Sequence, residues 1–166
     1  MSAFADIVMR SSTTDLPTES AQLWSNSETT AHLKKFVDIH TALAGYKQSL
    51  INEAQFLGPP IVRPLMLHFS SDLIARTVDD QFMLGENIMV APVFGGETRD
   101  VYLPGPAKWK ELWTGTTHIL LSVSDGLTLH DVSCPIGYPP VYYRDTDNIM
   151  ISYVLKQFRE FYDSDL

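Results

Sequence analysis

Between Ser25 and Leu57 the positions Leu33, Phe36, Val37, His40, Leu43, Ala44, Leu50, Ile51 and Ala54 recur at intervals of three and four. That period lets an α-helix bury one stripe, and a strand cannot use it. Both ends agree with a helix. Ser25 and Glu28 have capping-box spacing, while Gly58 followed by Pro59 and Pro60 supplies an αL-compatible residue and then a stop. A helix of this length needs a surface to lie on. The stretch DIVMRSSTTDLP, residues 6–17, starts as a strand and turns polar, and IVRPLMLHF, residues 61–69, is an apolar run of strand length. Such a run fits a strand buried on both faces, as in parallel sheets. Strand, long helix and strand together predict a βαβ unit and an α/β fold.

Asp79 and Asp80 precede QFMLG, which reads as a short helix capped by Asp80 and ended by Gly85; NIMVAPVF then returns to strand. Past Gly95 and Gly96 the character changes. TRDVYLP, WKELWTG, HILLSV, LTLHDV and PPVYYR are short, rich in β-branched and aromatic residues, and separated by Gly, Pro, Asp and Ser. This is the pattern of antiparallel strands joined by tight turns. A boundary near Phe94 divides the chain into 1–94, a β-rich 95–145 that would form a sandwich-like domain, and 146–166. The last part is amphipathic, with Ile151, Val154, Leu155, Phe158, Phe161 and Tyr162 on one side.

Composition narrows the partners. The chain has 166 residues, 45% of them hydrophobic, enough to bury a core, and a net charge of −8. That charge opposes a phosphate backbone or an anionic membrane surface, so neither nucleic acid nor membrane is expected as a partner. The apolar runs are far shorter than the roughly 20 residues that span a bilayer. MSAFADIVMR shows no basic segment followed by a long apolar one, and the single cysteine, Cys134, cannot form an internal disulfide. A cytoplasmic setting follows.

The familiar chemistries find little support. The histidines at 32, 40, 68, 118 and 130 are scattered, no metal-ligand spacing occurs, and neither a metal nor another cofactor is implied. His40 and His68 read better as hydrogen-bonded core residues than as ligands, and Cys134 as an inert apolar residue. No nucleophile elbow and no phosphate-binding glycine loop is present. Asp79 and Asp80 are adjacent, so their side chains diverge, whereas glycosidases need two carboxylates about 5–9 Å apart across a bond. Trp109 and Trp113 flank Lys110 and Glu111 and could stack on a sugar, although core packing is the favoured reading.

Four stretches together carry a resemblance: FADIVMRSSTTDLP, HLKKFVDIHTALAGYKQSLINEAQFLGPPIVRPLMLHF, DDQFMLGENIMVAPV and RDVYLPGPAKWKELWTG. In order and spacing they resemble the C-terminal part of glycoside hydrolase family 31, the α-glucosidase and α-xylosidase family. The ending GYPPVYYR resembles the bacterial α-glucosidase and sulfoquinovosidase branch. The resemblance implies the last βαβ portion of a (β/α)8 barrel in 1–94, followed by a small antiparallel β-domain and a C-terminal helix. It also implies a parent that hydrolyses α-glycosides or oligosaccharides with retention, through two Asp residues carried on barrel strands outside this chain.

In the family the strand before the long helix ends Arg-x-His, and the His bonds sugar hydroxyls. The matching positions here are Arg10 and Ser12. Arg10 is kept, and a buried charge of this kind more readily pairs with a carboxylate than with sugar. Ser12 stands where the family has His, and its shorter side chain cannot reach the same hydroxyls. The expectation is therefore a C-terminal fragment inactive by itself. A non-catalytic carbohydrate- or protein-binding remnant is the alternative, with self-association through uncovered barrel surface as a further expected contact.

Overall fold

The computed structural model describes residues 2–5 and 26–162. Its helices are α1 (Ser27–Ala42), α2 (Ala44–Leu57) and α3 (Ile149–Tyr162). The strands are β1 (Val62–Pro64), β2 (Phe82–Leu84), β3 (Ile88–Val90), β4 (Thr98–Leu103), β5 (Ala107–Glu111), β6 (Thr117–Leu120), β7 (Leu127–Ser133) and β8 (Val141–Arg144). Six of them form one sheet in the order β1-β2-β3-β8-β5-β6, while β4 and β7 form a separate ribbon. Every pairing is antiparallel. The larger sheet draws strands from both sides of residue 94.

The predicted helical region is helical, with two corrections. Its N-cap is Asn26 rather than Ser25: the Asn26 carboxamide oxygen accepts the Thr29 N–H at 2.7 Å. The run is also two helices that meet at Leu43. The Leu43 N–H still donates to the Ile39 carbonyl at 3.1 Å and its own carbonyl accepts from Lys47 N–H at 2.9 Å, so hydrogen bonding continues through the break. Gly45, just beyond, is the poorest helix former in the run. Gly58 closes α2 as expected, at φ 90°. The buried stripe is Ile39, Leu43, Tyr46 and Leu50; Val37, Ile51 and His40, all placed on the stripe by the sequence pattern, are exposed.

Two other expectations fail. IVRPLMLHF is not a parallel strand: only Val62–Pro64 is extended, pairing antiparallel with β2, and Leu65–Leu67 is a 3₁₀ turn. QFMLG is not a helix. Phe82–Leu84 is β2, and Gly85 at φ 61° starts the turn that returns the chain as β3, with Leu84 opposite Ile88. The reason is burial on two faces. Met83, Met89 and Tyr142 point to one side of the sheet, with Trp109, Leu65, Phe69, Val101 and Leu103. Leu84, Ile88, Val90, Val141 and Tyr143 point to the other, against Ile39, Leu43, Leu50, Ile151 and Val154 of the helices. An antiparallel sheet covered by helices on one face and by the β4–β7 ribbon on the other produces the same continuous apolar runs as a parallel one.

The β-rich half is as predicted, since each of the five segments past Gly96 contributes a strand. The final helix is also present, and Asn148 caps it by accepting the Ile151 N–H at 3.2 Å. Ile151 and Val154 carry its buried face.

Candidate functional site

Arg10 and Ser12, the two residues assigned to the sugar side, lie outside the described residues. What the structure shows nearby is how residues 3–5 are held. The Lys47 ammonium, 8% exposed, donates to the carbonyls of Ala3 at 2.9 Å and Ala5 at 2.8 Å and lies 3.0 Å from His40 Nδ1. Burial and the Lys47 charge push His40 below the ordinary histidine range.

The other sequence candidates separate cleanly. Trp109 is fully buried, donates its indole N–H to the Pro104 carbonyl at 2.8 Å and packs against Phe69, so it is a core residue. Asp79 and Asp80 are both exposed, and Asp80 is held by the Arg99 guanidinium at 2.6 Å. His68 is half-buried beside Arg63, 3.3 Å away, and burial followed by the charges of Arg63 and Arg144 lowers its pKa. His130 pairs with Asp100 at 2.8 Å on the surface. Cys134 is a buried free thiol. Among the described residues no group of three His, Cys, Asp or Glu side chains could hold a metal ion.

One groove opens beside a pair that no sequence spacing could announce. Trp113, half-buried, donates its indole N–H to the Pro139 carbonyl at 2.6 Å, which fixes the ring. Tyr138 stands edge-on to it, with centroids 5.4 Å apart and planes at 79°. From α1, Lys35 places its ammonium 3.2 Å from the Tyr138 ring centroid and 4.9 Å from that of Trp113. Burial pulls the Lys35 pKa down to about 8. The two ring faces act in the opposite sense, favouring the charged form.

On one side of this pair is a groove of about 390 Å³ lined by Glu111, Trp113, Thr116, His118, Tyr138 and Tyr142 among others. A second, larger groove of about 630 Å³, between α1 and the β7–β8 connection, is lined by His32, Phe36, Val93, Cys134, Ile136 and Gly137 among others. In the first, the Glu111 carboxylate accepts the Thr114 N–H at 2.5 Å and faces Tyr142 across the β5–β8 pairing. Burial, followed by the Glu111 charge, raises Tyr142 to about 12. Glu111 is the single carboxylate among the described residues lining either groove. A retaining hydrolase needs two, about 5–5.5 Å apart, and the described lining of each groove supplies at most one.

The profile of the glycosyl hydrolase family 31 C-terminal domain matches residues 58–149. The chain belongs to glycosyl hydrolase family 31. This bears out the family resemblance read from the sequence. Among its relatives, a sulfoquinovosidase of Agrobacterium fabrum is 37% identical over 146 residues, covering 87% of this chain and 21% of that protein. A second, from Escherichia coli, is 34% identical over 145 residues, covering 86% of this chain and 20% of that one. Among solved structures, a family 31 sulfoquinovosidase from E. rectale, in complex with an aza-sugar inhibitor, superposes with a TM-score of 0.74 at 30% identity, covering 88% of this chain and 21% of that one. A family 31 α-xylosidase from a soil metagenome, complexed with xylose, gives 0.72 at 26% identity, covering 81% of this chain and 19% of that one. The chain therefore spans about a fifth of the length of these relatives.

The sequence missed Lys35, Tyr138 and His118. Lys35 and Tyr138 come from α1 and from the β7–β8 connection, and only the packing of that connection against α1 brings them together.

Proposed function

We propose that this chain is the C-terminal portion of a retaining α-glycoside hydrolase, and that it does not cleave glycosides by itself. The observation that carries the reading is the family match joined to the carboxylate inventory: a glycosidase family, and a single acidic side chain among the lining of two grooves. The parent's substrate is an α-glycoside or α-linked oligosaccharide, cleaved by double displacement at carboxylates outside these residues. In this reading α1 and α2 belong to the last part of the parent's (β/α)8 barrel, and residues 58–149 form the β-domain that follows it. Arg10 and Ser12 sit on the sugar side of the barrel rim, where serine in place of the family's histidine weakens the contact.

A chimera tests this. Residues 3–166 replace the homologous C-terminal part of the Agrobacterium sulfoquinovosidase, and hydrolysis of a sulfoquinovoside is measured. The chimera is expected to fold and to turn over slowly, and Ser12→His within it is expected to raise the rate. Turnover of an aryl α-glucoside by the purified 166-residue chain, lost on substitution of one of its own carboxylates, would refute the non-catalytic reading.

A partner-binding role draws support from a different observation. Phe56, Leu57, Met66, Leu67, Leu73 and Ile74 are all exposed large apolar residues, from 44% to 84%, in the neighbourhood of α2 and the segment after it. Exposed large apolar side chains close together in sequence are candidates for an interface. The rest of a barrel would cover it in the parent, and a second copy would cover it in the isolated chain. Light scattering of the pure chain distinguishes these: association is expected, and a monomer with no dye-accessible apolar surface counts against it.

A further inference from the structure

We infer that the groove beside Trp113 and Tyr138 is a non-catalytic subsite for a neutral pyranosyl unit of an oligosaccharide. The inference rests on the family reading above for the class of ligand, and on the geometry of the groove for its place and its charge preference.

Shape comes first. Two aromatic rings at 79° and 5.4 Å make a corner rather than a stack. Each ring is fixed from outside the groove, Trp113 by its 2.6 Å bond to the Pro139 carbonyl and Tyr138 by the Lys35 ammonium 3.2 Å from its centroid. A pyranose has an apolar face of axial C–H groups and a rim of hydroxyls. A fixed aromatic wall offers such a face contact area at little entropic cost. Tyr138 is 44% exposed, so its ring is not used up by the core. The groove's volume, about 390 Å³, lies in the roughly 300–1,000 Å³ range of small-molecule pockets.

The polar lining matches a ring of hydroxyls. Thr114 and Thr116 share a hydrogen bond at 2.8 Å between their hydroxyls, which polarises the pair toward a further partner. Glu111 supplies a carboxylate held in place by the Thr114 N–H at 2.5 Å, and His118 supplies a ring nitrogen. Acceptors and donors of this kind bind a vicinal diol.

Charge decides which sugar. Among the described residues Glu111 is the sole carboxylate in the lining, and neither a lysine nor an arginine is part of it. An anionic sugar entering beside that carboxylate meets like charge, on a chain whose net charge is −8, while the Lys35 ammonium is engaged with the Tyr138 ring from outside the groove. A neutral glucosyl unit meets no such opposition. The groove thus differs in preference from a site built for a sulfonated sugar, the ligand class named for the Agrobacterium and E. coli relatives.

The experiment is isothermal titration of the purified chain with isomaltotriose and with maltotriose, beside a sulfoquinovoside at equal concentration. Saturable binding of a neutral trisaccharide is expected, together with at least tenfold weaker binding of the sulfonated sugar. Tyr138→Ala and the exposed Thr116→Val are each expected to weaken trisaccharide binding at least threefold, with unchanged circular dichroism. Trp113→Phe keeps a ring while removing the bond to Pro139, and is expected to weaken binding less than Tyr138→Ala. Absence of saturable binding by wild-type chain overturns the inference, as does binding untouched by Tyr138→Ala and Thr116→Val. Equal affinity for the sulfonated sugar overturns its charge argument. These outcomes are independent of the chimera, whose turnover reports on the parent's active site rather than on this groove.

Discussion

Replacing Gln81 is expected to loosen the join between the two sheets. Gln81 is 5% exposed and comes just before β2, and its carboxamide faces Tyr102 on β4. Its Nε2 donates to the Tyr102 carbonyl at 2.9 Å and its Oε1 accepts the Tyr102 N–H at 2.7 Å. One side chain therefore does what a neighbouring strand would do for that residue. Gln81→Leu keeps the volume and removes both partners. Each buried backbone group left unpaired costs about 1–3 kcal/mol, and with partial relaxation the pair is expected to cost about 2–4 kcal/mol. For urea slopes of about 1–3 kcal/mol/M this lowers the unfolding midpoint by about 0.7–4 M, read by tryptophan fluorescence and circular dichroism. Gln81→Glu is the informative control. It keeps an acceptor for the N–H but sets a carboxylate oxygen against the Tyr102 carbonyl, so its folded pKa rises above the unfolded value of about 4.3. A raised carboxyl pKa gives stability that is present below the unfolded pKa and lost as pH rises through the folded one. The Gln81→Glu variant should therefore approach wild type in acid and fall away toward neutrality. A Gln81→Leu midpoint within about 0.3 M of wild type, given those slopes, would refute the reasoning.

Trp109→Ala empties a fully buried site and orphans the Pro104 carbonyl; it is expected to destabilise by about 3–5 kcal/mol in the same urea assay. Gly126 has an ordinary φ of −47°, so space alone decides there: an added Cβ would run into the Tyr102 hydroxyl, which donates to Asp72 Oδ2 at 2.7 Å. Gly126→Ala is expected to cost about 2–4 kcal/mol, and less in a Tyr102→Phe background, where the obstructing oxygen is gone; a double-mutant cycle measures that coupling. For His68, whose pKa is lowered in the fold, the unfolded chain binds its proton first as pH falls. Stability should thus decline as pH drops through the ordinary histidine value of about 6.5, and His68→Gln should flatten part of that slope in unfolding curves collected between about pH 5 and 7.

The parts of this fold that sequence could announce are those whose signal is local. Gly58 and the two prolines after it end a helix wherever they occur, and five short aromatic segments between turn residues became five strands. The errors have a common physical origin. Phe82–Leu84 and Val62–Pro64 are three-residue strands, too short to display a period, and both lie in a sheet covered on each face. Covered strands lose the alternation that distinguishes antiparallel from parallel pairing. The helical stripe was misphased for a related reason. Tyr46 and Lys47 are buried because one hydroxyl reaches the Leu84 carbonyl at 2.9 Å and one ammonium reaches Ala3 and Ala5, partners about forty positions away. Of the groove, Trp113 was visible as a candidate, whereas Tyr138 and Lys35 acquire their meaning only from contact with it.

The buried polar residues say what most of this chain is built to do. Arg63 reaches from β1 to Glu53 on α2 at 2.9 Å and to the Pro60 carbonyl at 2.6 Å. Asp72 holds the turn at Ile74 and Ala75 through one oxygen and Tyr102 through the other. Lys47 holds residues 3–5, and Gln81 holds β4. Each of these groups joins one layer or loop to another. A buried polar group so used fixes relative position, because breaking one partner costs far more than the bond itself returns. Glu111 departs from the pattern. It is 9% exposed, its carboxylate accepts the Thr114 N–H within its own turn, and it borders an open groove. A carboxylate placed there adds no joint between layers: it holds its own turn and, unlike the others, also lines a groove.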